Sequence, residues 1–386
     1  MSGWIRIPGG AAGLARRCAG LPLLLLLMAA GFAAALWGKP VRSGDFLIGD
    51  CPYYASAAVS LLADGDLDLA NQLRGGLAVH QRQVALGRNG EWYPKHPILM
   101  SVLSVPLYAA FGVAGFLIFN ILVLTALSAL VWALCQRHVS GGMATLSTVV
   151  ILAGTFLRAY VYNYSPDLLS TLLFLGGLLL VLEERPYAAG ALLGLSVMAK
   201  LTNLFGLLLV AGFLLARPGR RGALRLAAAA LPFLAILAVL NTVMFGSPAT
   251  SGYDRTLVMD DGAIATVSHR GFFDLPPLEG VRGQLLSSRT GLIPTSPVLL
   301  LALPGLVLLI RRRPWEGLLL LCLCEFIFLL FSTYRWWATS HYGNRFLMTP
   351  VALAGVPLSL TLDWIRQALS RRAPLPLPVP AATRGK

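Results

Sequence analysis

Residues 20–38 read GLPLLLLLMAAGFAAALWG, an apolar run long enough to cross the hydrocarbon core of a membrane as an α-helix. Comparable runs recur along the 386-residue chain, in which 56% of residues are hydrophobic and 12% are charged. A soluble domain carries charge on about a quarter of its residues, and a backbone in lipid must satisfy its own hydrogen bonds. The composition therefore predicts an all-α fold, a polytopic transmembrane helical bundle. No small-residue cleavage site follows the first run, so we expect it to remain as the first helix.

The placement of basic residues predicts the topology of this bundle. If every apolar run crossed the membrane, the arginine-rich segments 217–225 and 311–313 would lie outside the cell, against the positive-inside rule. A short helix at 97–112 that lies in the outer leaflet returns both segments to the cytoplasm. The sequence thus predicts about ten spans, and the net charge of +14 is assigned to cytoplasmic loops and not to binding of nucleic acid.

This topology divides the chain into three parts. We expect an active site on the external face, because the long polar loops lie there. The predicted parts are a cytoplasmic N-terminus (1–19), a transmembrane domain (20–365) with external loops 39–112 and 245–295, and a cytoplasmic Pro- and Arg-rich tail (366–386).

The first external loop concentrates acidic residues, with five aspartates in the segment SGDFLIGDCPYYASAAVSLLADGDLDLANQL, residues 43–73. Residues 50–68 predict a short amphipathic helix entered through Pro52 and suited to a membrane surface. Asp50 stands at the start of this helix. Two interpretations are open for it: an N-cap favoured by the helix dipole, or a functional carboxylate.

Asp64, Asp66 and Asp68 follow the predicted helix around Gly65. A calcium-binding loop of the EF-hand type needs a glycine and a glutamate at defined later positions, and these are missing. We therefore interpret the three aspartates as a solvated turn, and no metal-ligand set is predicted anywhere in the chain.

Several segments together resemble the GT-C-type membrane glycosyltransferases, in particular their PMT/ArnT-like branch. The resemblance begins with GDCPYYASAAVSLLADGDLDLAN in the first external loop and spans most of the chain in the same order. The further segments are YPKHPILMSVLSVPLYAAFG (93–112), YSPDLLSTLLF (164–174), GLSVMAKLTN (194–203), FGSPATSGY (245–253), GLIPTSPVLLLALPGLVLL (291–309) and YRWWATSHYGNRFL (334–347).

The resemblance implies an enzyme that transfers a sugar from a polyprenyl-phosphate or polyprenyl-diphosphate carrier to an acceptor at the external face of a bacterial-type inner or plasma membrane. Its implied partners are this donor, membrane lipid, and a glycan, lipid or protein acceptor. Asp50 matches the aspartate that the family places beside the reacting centre, where a carboxylate can take the proton of the acceptor hydroxyl. No cofactor is obligatory, although a divalent metal ion would be compatible.

The sequence departs from the family pattern at Cys51, which replaces the usual acid after Asp50. This departure leaves open a site that works without its second carboxylate. The resemblance also allows a GT-C scaffold that has lost activity, with Cys51 as the main argument for it. A flippase or transporter of lipid-linked sugars is the other alternative, and the chain's lack of internal repeats argues against it.

Cations that could bind the donor phosphate are sought on the same face as Asp50. Arginine binds phosphate oxygens through two parallel hydrogen bonds, whereas lysine acts as a point charge. Each candidate also has a second interpretation, as an interfacial anchor or a helix cap, and for Arg345 the nearby Gly343 and Trp336–Trp337 pair favour binding over anchoring. The predicted donor-phosphate or substrate-binding residues are Lys95, His96, Arg345, Asp167, Lys200, Tyr53 and Tyr342.

Overall fold

A computed structural model of the chain describes residues 20–39, 41, 44–74, 83–217, 220–260, 263–339 and 342–372. The predicted N-terminal part (1–19) and the end of the predicted tail (373–386) lie outside the described residues. The α-helices are α1 (Leu21–Leu36), α2 (Cys51–Ala63), α3 (Ala70–Arg74), α4 (Leu99–Phe111), α5 (Ala114–Gln136), α6 (Gly141–Ala153), α7 (Pro166–Leu182), α8 (Pro186–Ala199), α9 (Asn203–Leu215), α10 (Arg221–Phe245), α11 (Pro277–Leu286), α12 (Leu292–Thr295), α13 (Ala302–Arg312), α14 (Pro314–Ser332), α15 (Met348–Leu353) and α16 (Gly355–Arg372). Short 3₁₀ helices cover Phe156–Tyr162, Gly252–Asp254, His269–Phe272, Pro297–Leu301 and Arg345–Leu347.

The helices enclose one large apolar core, as the composition predicts. Helix α8 packs between α7 and α10, and α16 packs against α13 and α6. Small residues allow these close approaches: a Cβ atom added to Gly190 of α8 would lie 2.1 Å from the carbonyl oxygen of Leu226 in α10. Such contacts are typical of helices that associate in membranes, where close packing replaces the hydrophobic effect.

The number of spans differs from the sequence-based prediction. Among the described residues, three helices are long and apolar enough to cross a membrane, namely α5, α10 and α14, and up to five spans result if each of two bent helix pairs counts as one. Helices such as α4, α7, α8 and α9 have 13 to 17 residues, or about 20–25 Å. The polytopic helical bundle is confirmed, whereas the count of about ten spans is not.

A four-stranded antiparallel sheet was not expected from the sequence. Its strands are β1 (Val84–Leu86), β2 (Trp92–Pro94), β3 (Thr256–Asp260) and β4 (Ala263–Val267), in the order β2-β1-β3-β4. Strands β1 and β3 come from the two different loops that are predicted to be external, and they pair at Ala85 and Thr256. The sheet therefore joins the two loops into one layer.

Helix α2 has the predicted position, but its surroundings differ from the membrane surface predicted for it. Helix α2 packs against α4 and β2, and most of its residues are buried. Asp64 and Asp66 in the turn after it are exposed, as predicted for a solvated turn, and carboxylates of this turn also make internal hydrogen bonds. Asp68 accepts hydrogen bonds from the backbone N–H groups of Ala70 (3.1 Å) and Trp92 (3.0 Å), and Asp66 accepts one from Ser60 Oγ (2.9 Å). Short carboxylate side chains next to unpaired backbone donors favour such contacts.

Candidate active site

A cavity of about 390 Å³ lies where the sheet and the loop before α15 meet the ends of α2, α7 and α8. Six of the eight predicted site residues line it. These six are Asp50, Lys95, His96, Asp167, Lys200 and Arg345. The structure thus brings together residues from five separate segments of the chain.

Asp50 forms an ion pair with Arg345, with 2.6 Å between Oδ2 and Nη2. It occupies the N-cap position of α2, but its side chain makes no capping hydrogen bond. The simple capping interpretation therefore does not describe the carboxylate. Burial alone raises the pKa of Asp50, but the positive charges of Arg345 and Lys95 outweigh it and hold the pKa below its ordinary value. Asp50 is ionised at neutral pH.

The loop that carries Arg345 is held by contacts made before and after the arginine. Gly343 has a φ of +68°, and a Cβ atom at this position would lie 2.3 Å from Phe156, so that only glycine fits. The side chain of Asn344 accepts a hydrogen bond from the backbone N–H of Phe346 and donates one to Gln284 Oε1 (3.0 Å). These contacts orient Arg345 towards the cavity.

A second ion pair lines the cavity between Asp167 and Lys200, with 2.6 Å between Oδ1 and Nζ. Asp167 lies in the first turn of α7, which begins after Ser165, and the hydroxyl of Ser165 donates a hydrogen bond to it (3.1 Å). Lys200 lies in the break between α8 and α9. Its Nζ lies 5.2 Å from the ring of Phe346, and the guanidinium of Arg345 lies 5.3 Å from the same ring. The cations of the two ion pairs therefore both lie within cation–π distance of the ring of Phe346.

Lys95 and His96 directly follow strand β2. The ring of His96 forms a hydrogen bond through Nδ1 to the hydroxyl of Tyr253 (2.7 Å), just before strand β3. Burial lowers the pKa of His96 well below its usual value, so that the ring is neutral at pH 7. Burial also lowers the pKa of Lys95 to about 8, although Asp50 opposes this change. The site thus contains one lysine that titrates near physiological pH.

Close packing between the two external loops sets the position of Lys95. A Cβ atom on Gly252 would lie 2.4 Å from the carbonyl oxygen of Lys95. A glycine at this position is what allows the backbone of one loop to lie directly against the other.

Two of the predicted residues do not line the cavity. Tyr53 is buried with Ala57 and Leu69 in a separate small apolar cluster. Tyr342 is half-buried, and its hydroxyl lies 3.5 Å from the carbonyl oxygen of Thr295. A role for either side chain in substrate binding stays a prediction without support from its position.

Several aromatic and polar residues in the cavity wall were not predicted. Tyr54 replaces its neighbour Tyr53 at the site, with its ring 4.9 Å from that of His96. Tyr253, Asn163 and Trp336 also line the cavity. Helical periodicity could have separated the tyrosine pair, because adjacent residues of a helix point about 100° apart. Asn163 and Trp336 lie outside regular elements and Tyr253 lies in a three-residue 3₁₀ helix, so periodicity could not have indicated any of them.

Cys51 stands where the family pattern has an acid. Its side chain is 1% exposed, its Sγ lies 3.9 Å from Asn163 Oδ1, and burial raises its pKa to about 12. A thiol with this pKa is not a nucleophile or an acid-base group at pH 7.

We expect Cys51→Ala to change the turnover number less than about threefold, because the buried thiol packs and does not react. Treatment with a membrane-permeant maleimide should leave Cys51 unmodified in the folded chain, and the same chain unfolded in sodium dodecyl sulfate, in which Cys51 is accessible, serves as the positive control. Peptide mass spectrometry measures both. Rapid labelling of Cys51, or a large loss of turnover in the alanine variant, would contradict an inert role.

The described residues contain no group of three or more His, Cys, Asp or Glu side chains arranged to hold a metal ion.

A second, mainly apolar cavity of about 590 Å³ opens beside the first. Its walls come from mostly apolar residues of α8, α9 and α10, from residues 200–202, from the segments 248–254 and 269–273 and from Phe331, Tyr334 and Phe346. Lys200, Tyr253 and Phe346 line both cavities. The polar site is therefore continuous with an apolar space between helices.

Solved structures with the same architecture define the class of this fold. The chain is similar to ArnT from Cupriavidus metallidurans bound to undecaprenyl phosphate, with a TM-score of 0.59 and 15% identity over 92% of this chain and 63% of that one. It is also similar to the archaeal oligosaccharyltransferase AglB from Archaeoglobus fulgidus in complex with an inhibitory peptide and a dolichol-phosphate. That match has a TM-score of 0.56 and 11% identity, over 92% of this chain and 52% of that one. The chain thus spans less than two thirds of either protein and has the GT-C fold.

The family follows from the sequence itself. Residues 95–354, about two thirds of the chain, match glycosyltransferase family 87, and the chain belongs to this family. No curated protein matches the sequence. The resemblance to GT-C-type membrane glycosyltransferases predicted from the sequence is confirmed.

Proposed function

We propose that the protein transfers a sugar from a polyprenyl-phosphate donor to an acceptor hydroxyl, with Asp50 as general base. The observation that carries this proposal is the balance of charge in the cavity. Three cations, Lys95, Lys200 and Arg345, face two carboxylates, Asp50 and Asp167, and leave one net positive charge. This charge suits the single negative charge of a phosphodiester donor better than the larger charge of a diphosphate.

The adjoining apolar cavity supports a lipid-linked donor. A polyprenyl chain needs an apolar path that leads from the phosphate site into the membrane, and the space between α8, α9 and α10 supplies one. The ArnT structure is bound to undecaprenyl phosphate and the AglB structure is in complex with a dolichol-phosphate, and we extend this class of ligand to the present chain.

The proposed reaction is a displacement at the anomeric carbon. The acceptor oxygen forms a bond to this carbon while the bond from the carbon to the phosphate oxygen breaks. The acceptor proton passes to the carboxylate of Asp50, and the polyprenyl phosphate leaves with one additional negative charge. Lys95 and Arg345 stabilise this charge as it develops.

The ion pair between Asp50 and Arg345 has a consequence for this chemistry. A carboxylate with a lowered pKa is a weak base. We therefore propose that the donor phosphate takes over part of the hydrogen bonding of Arg345. The pKa of Asp50 then rises towards its ordinary value when substrate is bound, and the base becomes effective only in the loaded site.

The external face, the acceptor and the role of metal belong to the same proposal. The end of the bundle opposite the cavity carries Arg217, Arg220, Arg221 and the 311–313 arginines, and positive-inside placement puts that end in the cytoplasm. The active site then faces the periplasm or cell exterior, where a glycan, lipid or protein hydroxyl is the acceptor. Because three cationic side chains meet the phosphate charge, we propose that a divalent ion is not obligatory.

The direct test is release of polyprenyl phosphate by the purified chain in lipid nanodiscs. A panel of synthetic polyprenyl-phosphate hexoses and pentoses serves as donor, and each reaction is repeated with a chelator. We expect release that depends on one donor and continues with the chelator. Binding of donors without turnover would favour a scaffold that has lost activity. Movement of intact donor between leaflets of sealed vesicles, again without turnover, would favour a flippase.

We expect the apparent KM for the donor to increase as the pH rises above 8. The pKa of Lys95 is lowered to about 8, so its positive charge is present below this pH and is lost above it. Asp50 stays ionised over the same range, and the increase should approach about tenfold per pH unit. Steady-state kinetics between pH 6.5 and 9.5 measures it.

Lys95→Arg is the control for this pH dependence, because arginine keeps its charge throughout the range. Its profile should be flat where that of the unaltered chain rises. Identical profiles for the two proteins would show that Lys95 does not bind the donor phosphate.

A further inference from the structure

A separate cavity of about 210 Å³ lies at the other end of the bundle. Helix α7 begins at the candidate site with Asp167 and ends beside this cavity with Leu182. Helix α14 begins at the cavity with Pro314 and leads back to Tyr334 of the candidate site. The helices have 17 and 19 residues, or about 25–29 Å, so the two cavities are separated by nearly one membrane thickness.

Arginines dominate the charged lining of this cavity. Four of them, Arg137, Arg217, Arg312 and Arg313, face only two carboxylates, Glu184 and Glu316. The lining therefore has a net positive charge of two.

Glu316 is already engaged by other side chains. Its Oε1 lies 2.8 Å from Nε2 of His138 and 3.7 Å from Nε of Arg137. Arg137 also donates a hydrogen bond to the carbonyl oxygen of Leu182 (3.3 Å). Arg137 therefore has a structural role in the cavity wall. No carboxylate of the described residues lies within ion-pair distance of the three other arginines. Arg217, Arg312 and Arg313 therefore offer their charge to a ligand.

An apolar wall lies on the membrane side of these arginines. Phe213 precedes Arg217 by one helical turn, and its ring contacts that of Trp315 edge-on, with 5.5 Å between centroids. Leu319 lies one further turn along α14 and is 2% exposed. Cationic side chains at the cavity entrance and aromatic and aliphatic side chains on its membrane side match a phosphate attached to acyl chains. A free phosphate ion would make no contact with the apolar wall.

We infer that this cavity binds the phosphate of an anionic phospholipid, with Arg217, Arg312 and Arg313 at the headgroup and Phe213, Trp315 and Leu319 at the upper acyl chains. Basic pockets between transmembrane helices on the cytoplasmic side suit such headgroups. The site is distinct from the donor cavity and does not depend on the proposed reaction. Its ligand is a structural lipid and not a substrate.

Thermal unfolding of the detergent-purified full chain tests the site. The probes are phosphatidylglycerol, phosphatidylcholine with the same acyl chains, and inorganic phosphate. We expect phosphatidylglycerol to raise the Tm by about 3 °C or more and the other two probes to raise it by less than about 1 °C. Native mass spectrometry should show phosphatidylglycerol retained on the chain.

The double variant Arg312→Gln/Arg313→Gln should lose the increase in Tm caused by phosphatidylglycerol. Arg220→Gln/Arg221→Gln is the matched control, because it removes the same charge at the same end of the bundle without altering the cavity lining. Equal loss in both double variants would reduce the effect to general surface charge and overturn the proposal. An equal shift with phosphatidylcholine would overturn it as well, and an equal shift with inorganic phosphate would exclude the lipid as its source.

Discussion

We expect Asp50→Asn to lower the turnover number for the proposed sugar transfer by about 10²–10⁴-fold, the range for removal of a general base. The amide keeps the size of the side chain but cannot take the proton of the acceptor hydroxyl. Donor binding should change much less, because Lys95, Lys200 and Arg345 all remain. Turnover and apparent KM are measured separately with the donor identified by the release assay.

The control for Asp50→Asn is Asp274→Asn. Asp274 also forms an ion pair with an arginine, Arg335, but this pair is exposed and lies outside the cavity lining. The control should keep full turnover. Full turnover in Asp50→Asn would remove this residue from the role of base, and an apparent Tm lowered far beyond that of the control would assign the loss to unfolding.

We expect Arg345→Gln to lower kcat/KM for the proposed donor by about 10²–10³-fold. The guanidinium supplies charge-assisted hydrogen bonds to the phosphate, each worth about 1.5–3 kcal/mol, and glutamine keeps none of the charge. Arg345→Lys should recover part of the loss, because it restores the charge without the paired geometry. Arg335→Gln is the matched control, and a similar decrease there would show that the effect belongs to the external surface in general.

The same variant changes stability with a definite pH dependence. Arg345 lowers the pKa of Asp50 below its ordinary value of 3.8, so the pair stabilises the folded chain at every pH above that value. The stabilisation is lost as the pH falls through the lowered pKa. The difference in apparent Tm between the unaltered chain and Arg345→Gln should therefore be constant from pH 5 to 8 and should shrink in stronger acid.

The bundle and the family could be predicted from the sequence, because apolar runs and the order of short motifs can be recognised without knowing how the helices pack. The span count could not. The bent pair Gly141–Ala153 and Phe156–Tyr162, which turns by 69°, appears in the sequence as one straight apolar run. Helix ends and bends depend on tertiary contacts that hydropathy does not record.

The sheet illustrates a different limit. Asn89-Gly90 between two short extended segments is a hairpin signal and could have indicated strands β1 and β2. The pairing of β1 with β3 had no local signal, because the two strands are short and come from loops far apart in sequence.

The sequence predicts which residues belong to the site better than it predicts which of them form ion pairs. The external position of a residue follows from topology, and six of eight candidates line the cavity. The ion pairs could not be predicted, because they depend on distances in the folded chain. Lys200 pairs with Asp167, and Arg345 pairs with Asp50. The tyrosine at the site is Tyr54 and not Tyr53, a choice made by the rotation of α2 against the core.

The ion pair between Asp50 and Arg345 joins residues that are 295 positions apart in the chain. Asp50 is synthesised long before Arg345, and the sheet that joins the two loops cannot close until strand β3 has been made. A nascent or truncated chain that ends before Arg345 therefore has the carboxylate without its arginine. On the function proposed above, the donor site is complete only after the segment with Arg345 has been inserted, so that partly synthesised copies do not hold the carrier lipid.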